Sequence, residues 1–245
     1  MAFADSLSQL VWLSHEMGRE DRGLALGGEG SVSARLDATH FGIRASATML
    51  HNLRPDQICR CDIKTINGFI DSQGADTVDL QAALAKTVEP GAQRPTTEAL
   101  FHAWLLQLDG VNFVGHCHPE ACLQVLCSPA AERFADYRMF PDEILATGPS
   151  SVLVPYHEPG APLARELRAK VNIHMRRGFG RHPRLVLLQN HGIIALGATA
   201  ESVLATILMA EKAARVFVGS ARLGGPVFMT QPMVMRIDNP ARTRR

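Results

Sequence analysis

Val111-Asn112-Phe113-Val114-Gly115-His116-Cys117-His118-Pro119 is the stretch on which the fold turns. Its apolar run reads as a strand over 111–118, ended by the proline that follows the second histidine. Pro119 then opens a helix running to Leu126, with proline at the first helical position, where its missing N–H costs nothing. On a strand, residues i and i+2 share a face, so His116 and His118 point together while Cys117 points away. An isolated His-x-His is equally well explained by two strand-end imidazoles facing water, so the pair acquires meaning only from its company.

On the N-terminal side, Leu7, Leu10, Val11 and Met17 recur at near-helical spacing between Asp5 and Arg19. Gly27-Gly28-Glu29-Gly30 breaks that period, and Ser31 to Leu36 alternates as a strand does. Phe41–Arg44 and Ile58–Ile63 read as further short strands, and Leu80–Ala85 as a short helix. Leu100, Phe101, Trp104, Leu105 and Leu108 form a helical stripe over 97–108, preceded by Pro95 and two threonines and carrying Glu98 in its first turn. On the C-terminal side come a strand at Val152–Val154, a turn at His157–Gly160 and a helix at Leu163–Met175. A buried strand at Leu185–Leu188 and a closing helix at Glu201–Val218 follow. Strands and helices interleave with no repeat and no linker, which predicts a single α/β domain. Neighbouring strands such as 31–36 and 41–44 are too close for helical crossovers, so the sheet is expected to be mixed.

Composition fits that picture and excludes several function classes. The 245 residues are 46% hydrophobic and 20% charged, ordinary for a globular protein with a substantial core. A net charge of +1 offers no field for nucleic acid or acidic lipid. The basic run at about 240–245 is expected to be a solvated tail. Neither a signal peptide nor the roughly 18 apolar residues of a membrane span can be found. Five cysteines, an odd number in a long chain, read as reduced thiols of a cytoplasmic protein. Cys59-Arg-Cys61 lacks the spacing and the second pair of a zinc knuckle.

Two more places combine chemistry with an element boundary. Gln189-Asn190-His191-Gly192 follows the apolar strand 185–188, so His191 can reach back over the sheet edge. Taken alone it is a turn histidine. With His116 and His118 it makes the three-imidazole count of a metal site that keeps a position open for substrate. Arg94-Pro95-Thr96-Thr97-Glu98 puts a carboxylate at a helix start, which is also the commonest place for a merely dipole-complementing acid.

The order and spacing of these motifs resemble the class II aldolase/adducin family, which includes sugar-phosphate aldolases and epimerases. The resemblance lies in Gly28-Glu29-Gly30-Ser31-Val32-Ser33, Thr96-Thr97-Glu98, His116-Cys117-His118 and Asn190-His191-Gly192, and spans roughly residues 5 to 218. It implies a three-layer α/β/α domain around a central, largely antiparallel sheet, assembled as a homotetramer with sites at subunit boundaries. It implies that His116, His118 and His191 bind Zn2+, with Mn2+ or another divalent cation as alternatives. Glu98 would take a metal position without substrate and act as acid/base with it. Tyr137 lies where the aldolases carry a tyrosine that protonates the intermediate from a neighbouring subunit; otherwise it is a surface tyrosine. Ser31, Ser46, Thr96 and Thr97 fall where substrate is held. The implied reaction is aldolase-type cleavage of a hydroxy-carbonyl substrate of sugar-phosphate type through a metal-stabilised enediolate, in carbohydrate metabolism.

The chain departs from the family pattern at the phosphate end. Ser31 stands for the usual Asn, and Ala47, in Ser46-Ala47-Thr48, stands for a glycine that lets backbone N–H groups approach an anion. Arg44 and Arg94 are candidates to pair with a phosphate or a carboxylate, though each is more often a solvated surface residue. Metal-dependent decarboxylation of a hydroxylated aromatic or sugar acid therefore ranks directly behind aldol cleavage, with epimerisation third. A non-catalytic, adducin-like assembly module ranks last, because the histidine set and Glu98 are intact. Dinucleotide, metalloprotease and serine-hydrolase patterns all fail. His102, one turn beyond Glu98, is either a partner of that carboxylate or a packed histidine; Asn190 is read as support for the His191 loop, and His157 and His182 carry no case.

Overall fold

A computed structural model describes residues 3–72, 80–87 and 93–238. The expected basic tail at about 240–245 lies outside the described residues. Among the described residues seven strands form one sheet: β1 (Ser31–Arg35), β2 (His40–Arg44), β3 (Ile58–Asp62), β4 (Phe113–Cys117), β5 (Val152–Val154), β6 (Leu185–Leu188) and β7 (Gly192–Gly197). Their order is β3-β2-β1-β4-β7-β6-β5. Every pairing is antiparallel except β5 with β6, so the sheet is mixed and largely antiparallel, as expected.

The helices are α1 (Phe3–Met17), α2 (Ile63–Asp71), α3 (Leu80–Ala85), α4 (Ala99–Leu105), α5 (Glu120–Leu126), α6 (Ala131–Asp136), α7 (Pro141–Thr147), α8 (Ala161–His174), α9 (Ala200–Ala221) and α10 (Gln231–Asp238). Strand alternation divides the core in two. Val32, Ala34, Phe113, Cys117, Leu185, Leu187, Ile193 and Ala195 meet α1, α5, α6 and α9 on one face. Phe41, Ile43, Val114, Val186, Leu188, Ile194 and Leu196 meet α2, α4 and α8 on the other. Helices thus cover both faces, giving three α/β/α layers.

Four expectations are corrected. Strand β7 went unread because Gly192 to Gly197 is buried on both faces and shows no alternation. Ile63 begins α2 rather than ending a strand: Asp62 accepts the Thr65 N–H at 2.7 Å, and Ile63, Ile66 and Ile70 are buried at helical spacing. Helix α4 starts at Ala99, later than expected, and Pro119 caps α5 from outside with ψ 139° instead of occupying its first turn.

The sheet is tied to its helices by close contacts that position the site. A side chain at Gly115 on β4 would meet Val203 at 2.9 Å and Ile207 at 3.2 Å, so α9 lies directly on that strand. The buried Glu211 of α9 accepts the Ala121 and Cys122 N–H groups at 3.3 and 3.2 Å, filling the N-terminal end of α5 just beyond the His-x-His strand.

Candidate metal centre

His116 is the fourth residue of β4, fully buried, and its register partners are Ser31 on β1 and Ile194 on β7. Its Nδ1–H donates to the Ile193 carbonyl at 2.9 Å, which orients the ring and leaves Nε2 as the nitrogen facing His118 and Glu98. His118 follows the end of β4, held by its own N–H to the Leu24 carbonyl at 3.0 Å. The Nε2 atoms of the two rings stand 3.1 Å apart. His191 comes from the β6–β7 turn, where Asn190 takes a left-handed φ of 55°, a conformation asparagine tolerates better than most residues. Asn190 therefore shapes the turn, as the sequence suggested.

The three rings lie 4.9 to 5.2 Å apart, centroid to centroid. One nitrogen from each falls within 4.8 Å of the others. Nitrogens bound tetrahedrally at about 2.0–2.1 Å from one ion stand about 3.3 Å apart, so the His116–His118 separation suits such an ion. Burial, then the charge of neighbouring imidazoles, pushes His118 and His191 down to about 4, keeping both neutral and able to ligate near neutral pH. His118 Nδ1 lies 3.8 Å from the carboxylate of Glu29, an acid of the Gly-rich loop. Nothing in its spacing marks it.

Glu98 joins the same group. Its Oε1 lies 3.3 Å from His116 Nε2. Its Oε2 is buried without a hydrogen-bond partner. Burial raises this carboxyl, but His116 and the Ser31 hydroxyl outweigh it, and the net direction is down. With two lone-pair donors this close, a proton or a cation must sit between them, and the donor set fits a divalent ion.

Helix α4 does not hold Glu98 as expected. The residue precedes the helix with φ −64° and ψ −19°, and the Ala99 and Leu100 N–H groups are taken by Thr96 and Thr97 carbonyls. Thr96 and Thr97 are half-buried beside Glu98, and Thr96 Oγ1 is buried without a partner. Ser31 is buried at the start of β1 and contacts His102. Ser46 is half-buried in the turn after β2, its N–H donating to the Arg94 carbonyl at 2.8 Å.

Two glycines have clear reasons. A Cβ at Gly30, whose φ is 73°, would meet the His116 carbonyl at 2.6 Å. One at Gly192 would meet the Cys117 carbonyl at 2.5 Å and the His118 ring at 2.6 Å. Arg44 corrects the sequence reading: it is buried, not solvated, and donates to the carbonyls of Gly30 (2.6 Å), Thr48 (2.5 Å) and Gly28 (2.5 Å). It shapes the Gly-rich loop. Arg94 is exposed, as expected of most arginines. Tyr137 is exposed at the end of α6, its ring 5.0 Å from Phe228, and lines a cleft of about 650 Å³ that also includes Gln189. None of the ring contacts or hydrogen bonds of Tyr137 described here involves the three histidines.

The sequence profile of the family described as Class II Aldolase and Adducin N-terminal domain matches residues 8–218. A Bacillus subtilis (strain 168) protein named "Uncharacterized oxidoreductase YuxG" is 27% identical over 185 residues, 76% of this chain and 22% of its own length. The chain thus spans about a fifth of that relative. Among solved structures, YgbL from Escherichia coli, described as a putative aldolase/epimerase/decarboxylase, superposes with a TM-score of 0.72 at 16% identity, covering 96% of this chain and 99% of its own. An L-fuculose 1-phosphate aldolase gives a TM-score of 0.72 at 17% identity, covering 99% and 98%. At these identities the two structures establish the likeness of fold.

Proposed function

Because the chain belongs to the Class II Aldolase and Adducin N-terminal domain family, we propose that it is a divalent-metal-dependent carbon–carbon lyase acting on a small hydroxy-carbonyl substrate. One observation carries the reading: the nitrogens of His116, His118 and His191 converge within 4.8 Å, with a Glu98 oxygen 3.3 Å from His116. The three imidazoles would hold the cation, zinc best by its preference for nitrogen in fours, manganese or another divalent ion otherwise. When bound, the ion supplies the positive charge that offsets the enediolate formed as the carbon–carbon bond breaks.

The chain's own groups do the rest. His116 stays oriented through its bond to Ile193, and Glu98 moves a proton between substrate and solvent from its place beside the histidines. Ser31, Thr96 and Thr97 offer hydroxyls to substrate oxygens, as does Ser46 at the next turn. Tyr137, exposed at the end of α6, would serve a neighbouring copy's site as proton donor in a homotetramer.

A second reading, decarboxylation of a hydroxylated acid, is favoured by the turn after β2. There the Ser46 N–H goes to Arg94, the Thr48 hydroxyl to Ala45, and each Arg44 nitrogen to a carbonyl. Donors that a phosphate would use are already engaged within the protein. The deciding experiment is elemental analysis of the purified protein, then incubation of the metal-loaded form with hydroxy-carbonyl phosphates and with hydroxy acids. Aldehyde and ketone products support the lyase, and CO2 supports the second reading. Absence of both, with no metal retained, overturns both and leaves an assembly module.

A further inference from the structure

Ser31 and Ser33 lie two apart on β1 and so present their hydroxyls to the same face, about 6.7 Å apart along the strand. His102 of α4, with no exposed surface, bridges them: Nε2 is 2.7 Å from Ser31 Oγ and Nδ1 is 2.6 Å from Ser33 Oγ. Phe101 stacks against this ring at 4.8 Å and turns its edge toward His116 at 5.7 Å. The groups charged or titratable around it are Glu98, His116 and Arg44. Ser31 is the link between this buried ring and the metal centre: it pairs across β1 and β4 with His116, whose Nε2 lies 3.3 Å from Glu98 Oε1, and the other oxygen of that carboxylate is buried with no partner of its own.

A serine hydroxyl has one proton to give, and a neutral imidazole has one ring N–H. Two arrangements satisfy the bridge. In one, Ser31 donates to Nε2 and Nδ1–H donates to Ser33, which turns Ser31 lone pairs against the carboxylate. In the other, Ser33 donates to Nδ1 and Nε2–H donates to Ser31, which releases the Ser31 proton toward Glu98. A carboxylate prefers the second, since it gains a charge-assisted donor.

We propose that His102 is a positioning residue for Glu98: held as the Nε2–H tautomer by Ser33, it orients the Ser31 hydroxyl onto the Glu98 carboxylate and so fixes that carboxylate beside the three histidines. The inference rests on the reading of Glu98 as the fourth group of the metal centre. It differs from simple filling of the core, which either tautomer would achieve.

The test has two readings. The visible spectrum and affinity of the cobalt-loaded protein report the carboxylate. Ser31→Ala and His102→Asn are expected to change the bands alike and weaken Co2+ binding roughly 10- to 100-fold, the usual effect of losing a group that orients a ligand. The double variant should do no more than either single one. His102→Gln, whose amide can donate from the Nε2 position, should restore the bands. Equal behaviour of the Asn and Gln variants, or a change with Ser31→Ala alone, overturns the proposal. Wild-type protein supplies the second reading, free of any folding defect: ring 15N shifts of His102 should give a protonated Nε2 and a bare Nδ1. The opposite assignment overturns the proposal. Failure of the wild type to bind cobalt would sink the metal reading, whereas the tautomer measurement addresses His102 by itself.

Discussion

Removing the His118 imidazole takes one of three converging nitrogens and leaves two imidazoles beside the Glu98 carboxylate, one short of the proposed set. His118→Ala is expected to abolish metal retention after dialysis, read by elemental analysis against unchanged circular dichroism. Glu98→Gln keeps shape and loses proton exchange, so it should bind metal at least as weakly as the Ser31→Ala protein and, at saturating metal, lose about 10²–10⁴-fold in turnover. An active His118→Ala protein would end the metal reading. The three histidines and Glu98 were legible because their chemistry needs those residue types near strand and helix ends. Arg44 was not: an arginine between Ile43 and Ala45 has no sequence mark of burial, and its role depends on carbonyls of a loop 14 and 16 residues away. His102 was visible only as one turn from Glu98; that it grips two serines of β1 follows from pairing no local pattern encodes.

At the scale of elements, β6, α3 and the core of β4 were readable from apolar runs and breakers, whereas β7 was not. A strand buried on both faces has the same composition as a buried helix turn, so periodicity cannot separate them. α2 carried its own signal, a capping Asp62 and isoleucines at helical spacing, but the strand before it runs into the same isoleucine. The close approach of β4 and β7 makes Gly192 a sensitive position. Gly192→Ala should push the Cys117 carbonyl and the His118 ring apart, costing about 1–3 kcal/mol of stability and weakening metal binding; denaturant melts and metal titration read the two effects. Glu211→Ala would strip the N-terminal end of α5 of its acceptor and is expected to cost about 1–3 kcal/mol in urea unfolding with metal affinity little changed. A neutral result there would mean that water replaces the carboxylate.

For the whole molecule, the buried imidazoles set an acid limit. His118 and His191 are held near 4 and His102 near 3, all below the ordinary 6.5. As pH falls, the unfolded chain takes up these protons first, so their contribution is fully present above about 6.5 and is lost as pH falls through 4 toward 3. Urea midpoints of the metal-free protein should therefore drop between pH 6.5 and 4, and a bound cation should make the decline steeper; a flat profile would contradict the burial of these rings. The three-layer arrangement also bears on the order of assembly. His116 and the Ile193 carbonyl that orients it are 77 residues apart in the chain and meet only when β4 and β7 pair in one register. A slip by one residue would turn His116 to the opposite face. The proposed ligand set thus does not exist until β4 and β7 have paired, and an ion held there would not nucleate folding as it does in small zinc-dependent modules. Stopped-flow refolding should run at the same rate in chelator as in metal, while unfolding slows when the ion is bound. On the proposed reading, a cation would arrive as a lodger in a finished building.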